Sequence, residues 1–483
     1  MVREALAHQL AGRHGEAERY LYRALALEPG SAEIQLHLGN LFGLLGRHDA
    51  ALQCCLEAVR LAPDLAQGRN NLGNAYRNVG RLDEAAAEFR RAISLNSGLA
   101  EAHFNLGLVN HRRGDLPGAT RCFRSALQSQ PDFADAHLNL GFLLEEQGDT
   151  SGAIESYRRA IEAQPELIEA HANLGMQLLL AGRFAEGWNE YEWRLRYPEY
   201  GAADARAAAP HWDGAALGGK TILLDCEQGF GDAIQFLRYA PLVAERGGRV
   251  IVRCAPELAP LLRSTPGVAE AVSRGGAPPA FDAYCPLPSL PRVFGTTLET
   301  IPAQVPYVHP DREKADRWKA KLADGAGDRR VGLVWASQSE HRTAGAKSVA
   351  LDTLVPLGEI PGVRFYSLQK GEAARQAERP PAGMQIEDLS SELRDFSDTA
   401  AAVSSLDLVI SVDTAVAHLA GAMGRPAWTL LKYAPDWRWL LARGDSPWYP
   451  TMRLFRQGRR DDWNAVIEEV ARALQRFAAA ARR

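Results

Sequence analysis

Asp232 lies in the stretch EQGFGDAIQFLRYAP, residues 227–241, where two glycines lead into a carboxylate at the start of a helical pattern. An apolar run ends just before it, so the order of residues predicts a strand, a tight turn through Gly229 and Gly231, and a helix. A carboxylate aimed outward from that helix start can take the proton from an acceptor hydroxyl or amide as a general base. Asp232 with Gln235 three residues later also matches a helix cap with its reciprocal partner. Spacing leaves both readings open, and Glu227 on the same loop is the rival base.

A second constellation is LDLVISVDTAVAHLAGAMG, residues 406–424: a buried-strand pattern, then Asp413 and Thr414, then a helix carrying His418. The N–H groups of Thr414, Ala415 and Val416 would point beyond the strand, and a helix N-terminus suits a diphosphate. Thr414 and His418, four apart, share a helix face. Asp and Thr are equally ordinary caps, and a helical His is equally a structural one. The third is WASQSEHRTAGAKS, residues 335–348, again after a strand pattern. Ser337, Arg342 and Lys347 could neutralise a leaving diphosphate without a metal, or form a solvated basic loop. No Asp-x-Asp triplet occurs in this half, which fits a metal-independent mechanism. Residues 436–450, DWRWLLARGDSPWYP, hold three of the ten tryptophans, for sugar stacking or for core packing.

Strands and helices must position these groups. Runs short enough for buried strands occur at 221–226, 249–254, 330–336, 364–369, 406–412 and 427–431, with helical stretches such as 232–246, 397–405 and 414–423 between them. That alternation predicts parallel sheets with helices on both faces. A Pro- and charge-rich stretch at 302–328 divides the region into two Rossmann-like halves, 219–310 and 329–475. Ligands are expected in the cleft at the carboxyl ends of the strands.

Ahead of them lies a repeat. Gly39, Gly73, Gly107, Gly141 and Gly175 are 34 residues apart, each preceded by Leu. Twelve residues on come Ala51, Ala85, Ala119, Ala153 and Gly187; sixteen on come Cys55, Phe89, Phe123, Tyr157 and Tyr191. Ala58, Ala92, Ala126 and Ala160 follow at nineteen, then Leu195. Small residues mark close helix crossings, aromatics fill the space between hairpins, and Pro63, Pro131 and Pro165 stop the second helices. About six units span 1–196, the first partial. The last is expected as a cap whose Trp188 and Trp193 dock on the domain beyond a Pro/Gly/Ala-rich linker at 197–218. Asn71, Asn105, Asn139 and Asn173 recur at one helical place, beside Leu and away from the crossing face. A ladder of amides there can bond both N–H and C=O of an extended acceptor peptide, though Asn is also common repeat grammar at this place.

Composition closes other routes. The 55 basic and 59 acidic residues give no support to nucleic-acid binding. Cys54, Cys55, Cys122, Cys226, Cys254 and Cys285 show no CxxC spacing, so a zinc site is not expected and reduced, buried thiols are. The N-terminal residues have no apolar signal core and no run of 18 apolar residues occurs, which predicts a cytoplasmic protein with peripheral membrane contact at most.

The 34-residue pattern resembles the tetratricopeptide repeat, helix–turn–helix in an α-solenoid. The G-x-G-D loop, the strand–Asp-Thr–x3–His-Leu helix start and the Lys-bearing loop, in that order over roughly 212–475, resemble the heptosyltransferase-like family 9 glycosyltransferases of the GT-B fold. That resemblance implies a nucleotide-sugar co-substrate held mainly by 329–475 with 219–310 as the acceptor side, no metal or other cofactor, and inverting displacement. It makes Asp232 the base and Lys347 a diphosphate partner, with Asp413, Thr414 and His418 on the donor. The chain departs from the family at Ala415, where heptosyltransferases generally have Gly. Repeats joined to such an enzyme also resemble the layout of O-GlcNAc transferase and of bacterial flagellin glycosyltransferases. The leading expectation is thus a protein glycosyltransferase whose array selects the acceptor. The alternatives are a lipopolysaccharide or polysaccharide glycosyltransferase with the repeats as docking module, and a non-catalytic scaffold.

Overall fold

The protein is described by a computed structural model covering residues 1–198, 200, 205, 208–276, 278–323, 328–338 and 347–480. Its contacts divide into two units, Met1–Ala170 and His171–Arg483.

The first unit is a run of antiparallel helix pairs: α1 Val2–Leu10 with α2 His14–Leu27, α3 Ala32–Leu44 with α4 His48–Leu61, α5 Ala66–Asn78 with α6 Leu82–Leu95, α7 Ala100–Arg112 with α8 Leu116–Ser129, and α9 Ala134–Glu146 with α10 Thr150–Ala163. A Cβ built on Gly73 would lie 2.5 Å from the Phe89 ring, and one on Gly107 2.5 Å from Phe123. The repeated glycine therefore makes room for the aromatic of its own hairpin. Phe89 also packs with Leu106 and Val109 of the next hairpin, so it fills both spaces at once. It is fully buried, and truncating it to Ala would cost roughly 3–5 kcal/mol. Between the paired helices Gly12, Gly46, Gly80, Gly114 and Gly148 take φ of 70 to 81°, a left-handed turn that a side chain would strain. The residue two before Asn71, Asn105 and Asn139 closes the preceding turn: Arg69 Nε donates to Pro63 O at 2.9 Å, and the rings of His103 and His137 bond Ser97 O and Pro131 O at 2.9 and 2.8 Å.

The second unit opens within helix Ile168–Leu180, followed by helix Phe184–Tyr191 and a 3-10 turn Glu192–Arg196. Two wholly parallel sheets come next. The first contains β1 Thr221–Asp225, β2 Arg249–Cys254, β3 Val268–Ser273 and β4 Ala283–Pro286 in the order β3-β2-β1-β4. The second contains β5 Arg329–Val334, β6 Val363–Ser367, β7 Ile386–Asp388, β8 Leu408–Val412, β9 Ala427–Leu431 and β10 Met452–Arg456 in the order β10-β9-β8-β5-β6-β7. The expected architecture is observed: a helical repeat array, then two parallel α/β halves of GT-B type.

Three details differ from expectation. Helix 232–246 is two helices, Phe230–Phe236 and Ala240–Ala244, joined by a 3-10 turn, because Pro241 cannot donate to the helical ladder. The dividing stretch 302–328 contains helix Arg312–Lys321, which packs on helix Phe396–Ser404 through Lys314 and Asp398 at 2.7 Å. The contacts divide the chain after residue 170, while the repeat spacing runs on to 196. Trp188 and Tyr191 belong to the large core of the second unit, so this hairpin follows the repeat spacing while packing with the sheets. At Gly175 the backbone N of Tyr191, not a ring, would lie 2.6 Å from an added Cβ. Trp188 docks as expected, donating to Thr296 O at 3.0 Å, whereas Trp193 stacks on His171 of its own hairpin at 3.6 Å.

Candidate functional site

In each sheet the chain reverses its direction of strand addition at one place, and both predicted constellations of the second half lie at such a place. In the six-stranded sheet β5 lies between β8 and β6, and the loops after β5 and β8 carry Lys347 and Asp413. In the four-stranded sheet β1 lies between β2 and β4, and the loop after β1 carries Gly229 to Asp232. Parallel α/β sheets open their ligand crevices at these positions.

Lys347 Nζ lies 2.7 Å from Asp413 Oδ2, and His418 Nε2 is 3.9 Å from Asp413 Oδ1. Burial would raise the Asp413 carboxyl, but Lys347 and His418 outweigh it and hold the group below its usual range. Burial would weaken the Lys347 ammonium, and Asp413 with Asp436 raises it instead. His418 is buried; its Nδ1 bonds the Tyr449 hydroxyl at 2.9 Å and its ring stacks on Trp439 at 5.2 Å. Burial pushes the imidazole down to about 4, so near neutral pH it offers a hydrogen bond and no charge. Thr414 occupies the cap position of helix Ala415–Ala422 without capping it, since its hydroxyl bonds Ser411 Oγ at 2.8 Å. Ala415 is half-buried against the core. The Ser337 backbone N–H donates to Ser348 Oγ at 3.0 Å. Arg342 lies outside the described residues.

Across from this cluster, Gly229 caps helix Phe230–Phe236 and Asp232 is its third residue, with no side-chain cap bond. The capping reading of Asp232 is thereby corrected: the cap position belongs to Gly229, and the Asp232 carboxylate is ion-paired with Arg438. Arg438 also donates to Gln235 Oε1 and Asp436 Oδ1, each at 2.6 Å. Asp436 is raised to about 6 by burial, with Lys347 opposing and Asp413 adding to the rise. The two halves also meet closely at Gly231, where a Cβ would lie 2.8 Å from His418 Cδ2. Arg238 fastens the same helix region to the other half through Trp448 O at 2.7 Å and also donates to Tyr307 Oη of its own half at 3.0 Å. Beside the Gly loop a cavity of about 250 Å³ opens at the carboxyl edge of β1, β2 and β3, lined among others by Cys226, Gln228, Phe230, Leu258 and Arg274.

The rival base Glu227 is almost wholly enclosed and bonded to Arg194 Nε at 2.6 Å. Arg438 and Asp436 were not singled out by spacing. Their only sequence signal is their place in the tryptophan-rich stretch 436–450, whose Trp437, Trp439 and Trp448 are core residues.

The repeated amides differ among themselves. Asn71 is buried, donates to Asn40 Oδ1 at 3.0 Å and accepts from Gln67 at 3.2 Å. Asn105, also buried, donates to Asn70 and accepts from Arg77, both at 3.0 Å. Both amides are therefore engaged by neighbouring side chains, where an open ladder was expected. Asn139 is half-buried and bonds Asp135 O of its own helix at 2.8 Å, and Asn173 lies half-buried in the second unit.

Among the described residues no cluster of three or more His, Cys, Asp or Glu side chains is placed to hold a metal ion. Nor is any described helix long and apolar enough to cross a membrane.

Comparison with known proteins assigns both parts. Tetratricopeptide-repeat family models match residues 9–72, 73–114 and 112–168. The model "Glycosyltransferase family 9 (heptosyltransferase)" matches 362–456, which takes in Asp413 to His418 and Asp436 to Arg438 but not Asp232 or Lys347. Protein FlbA of Caulobacter vibrioides is 29% identical over 324 residues, 62% of this chain and 54% of that protein. The chain thus matches about half the length of that curated relative. Solved structures resemble part of the chain. One is Pseudomonas aeruginosa pilF, with 20% identity, 40% of this chain and 88% of that one, and TM-score 0.37. Another is a thermophilic repeat protein of Thermus thermophilus, with 24% identity, 37% and 97% coverage, and TM-score 0.33. None of these bears on the likeness in layout to O-GlcNAc transferase or flagellin glycosyltransferases. The chain is a tetratricopeptide-repeat array fused to a family 9-like glycosyltransferase domain.

Proposed function

We propose that the protein transfers a sugar from a nucleotide-sugar donor to a saccharide acceptor of the lipopolysaccharide or polysaccharide kind, with the repeat array as its protein-docking module. The observation that carries this reading is the meeting of Asp232, from the first half, with Arg438 and Asp436, from the second, beside the Lys347–Asp413 pair. The matched family favours a saccharide acceptor over the protein acceptor that the array alone suggests.

In this reading the donor diphosphate takes Lys347, Arg438 and the free N–H groups at the start of helix Ala415–Ala422 as its counter-charges. Releasing Arg438 to the diphosphate frees Asp232 to accept the proton of the acceptor hydroxyl. The acceptor oxygen bonds to the anomeric carbon as the bond to the diphosphate oxygen breaks, and the nucleoside diphosphate leaves with the electron pair. One displacement inverts the anomeric centre. Cations and helix N–H groups stand where a metal would otherwise neutralise charge, so turnover should persist in EDTA.

The test incubates the full chain with a panel of nucleotide sugars and measures nucleoside diphosphate release with polysaccharide, with protein and without acceptor. Release stimulated by polysaccharide supports the reading, and stimulation by protein alone transfers it to a protein acceptor. Binding without any release leaves a scaffold. Activity lost in EDTA and restored by Mg²⁺ or Mn²⁺ would overturn the metal-independent part.

A further inference from the structure

We infer that Arg194 and Tyr191, on the last hairpin of the repeat pattern, are positioning residues for the loop that carries Asp232. This rests on the function proposed above. Arg194 is almost fully buried, yet its guanidinium makes four hydrogen bonds. Nε donates to Glu227 Oε1 at 2.6 Å, Nη1 to Glu192 Oε1 at 2.7 Å and to Tyr191 O at 3.0 Å, and Nη2 to Ser289 Oγ at 2.8 Å. The Tyr191 hydroxyl meets the Gln228 side-chain amide at 2.8–3.0 Å. Glu227 and Gln228 are the two residues before Gly229, which caps the Asp232 helix.

The same hairpin also reaches the opposite partner. Trp188 and Tyr191 pack on Trp437, with ring centroids 5.3 and 6.3 Å away, and Trp437 carries the Arg438 guanidinium 4.5 Å from its own ring centre. Both members of the Asp232–Arg438 pair are thus braced by one hairpin. A glycine-rich loop has little stiffness of its own, so two flanking side chains held by a buried guanidinium and a phenol set where the helix begins. Glu227 needs Arg194 in return: its Oε2 is buried with no hydrogen-bond partner among the described residues. This explains why the final unit keeps the 34-residue spacing and the aromatic mark at Tyr191 but loses the Ala and Pro marks, with Leu195 at the Ala place.

Full-length Tyr191→Phe, Arg194→Lys and the double variant Arg194→Met with Glu227→Gln test this. The double variant removes the Arg194 and Glu227 charges together, and Glu192 keeps Ser289 Oγ at 2.8 Å and Arg292 at 4.0 Å. Turnover should fall about three- to tenfold in Tyr191→Phe and by more in the double variant, while the nucleotide-sugar KM stays unchanged. Arg194→Lys, which keeps the charge but not the fork, should recover part of the loss. Amide hydrogen exchange over 227–232 should accelerate while β1 and β2 stay protected. Unchanged exchange over that segment in Tyr191→Phe and in the double variant would overturn the inference, as would wild-type turnover in a folded double variant. A wild type that neither binds nor turns over any nucleotide sugar fails the functional reading instead, and the exchange measurement still decides the positioning one.

Discussion

Asp232 and Arg438 form an ion pair between the two halves of the second unit although they are 206 residues apart in sequence. The pair orients the carboxylate and occupies it, so the same contact that aims the base must be exchanged when the donor arrives.

Asp232→Asn is therefore expected to retain donor affinity and lose turnover by about 10²-fold or more, the effect of removing a general base. Helix Phe230–Phe236 is capped by Gly229, so the substitution leaves the helix start intact. Nucleotide release and donor titration on the same preparation measure the two quantities. Full turnover in the Asn variant removes Asp232 from the chemistry.

Donor affinity should depend on pH through Asp436. With its carboxyl raised to about 6, it becomes an added negative charge beside the proposed diphosphate site as pH rises past that value. A sugar diphosphate keeps its own charge over this range, so the dissociation constant should increase by roughly tenfold from pH 5 to pH 7.5. Asp436→Asn should flatten the profile. Parallel profiles in variant and wild type would dissociate Asp436 from donor binding.

His418 makes a separate pH prediction for stability. Its folded value, about 4, is below the ordinary 6.5, so the unfolded chain binds the proton first as pH falls. Stability is full above pH 6.5 and is lost progressively between 6.5 and 4, by up to about 3 kcal/mol. All ten tryptophans come after residue 170, so their fluorescence reports the second unit alone. Denaturant unfolding between pH 4.5 and 7.5 should show this slope in wild type and a shallower one in His418→Asn. Identical slopes would mean that the imidazole titrates normally in the fold.

The asparagines divide by burial. Changing Asn71 and Asn105 to Ala favours helix locally but leaves Asn40, Asn70 and Arg77 without their amide partners. A loss on the order of 1–3 kcal/mol per site is expected in the helical transition that tryptophan does not see. Asn139→Ala, at a half-buried site, should cost far less. If it weakens a docked protein partner while donor hydrolysis is unchanged, the open-groove reading holds at that rung. Equal losses at all three positions would contradict the distinction by burial.

Much of this protein is written locally. The 34-residue period needs only neighbouring helices to be read, because Gly73, Gly107 and Gly141 each answer an aromatic ring sixteen residues later in the same hairpin. Six strands are legible as buried apolar runs, whereas β3, with Glu270, and the short β4 and β7 carry no such run, and β10 alternates charge with apolar residues. Asp232, Lys347, Asp413 and His418 could be named from spacing because each comes after a strand pattern. Their partners could not. Arg438 and Asp436 look like polar breaks in an aromatic segment until β9 and helix Phe230–Phe236 bring that segment to Asp232. The last hairpin shows the limit most plainly: its period assigns it to the array, and its packing assigns it to the sheets. Periodicity records which face of a helix is apolar. Which surface covers that face, and which charge answers which across hundreds of residues, is decided only when the whole chain closes on itself.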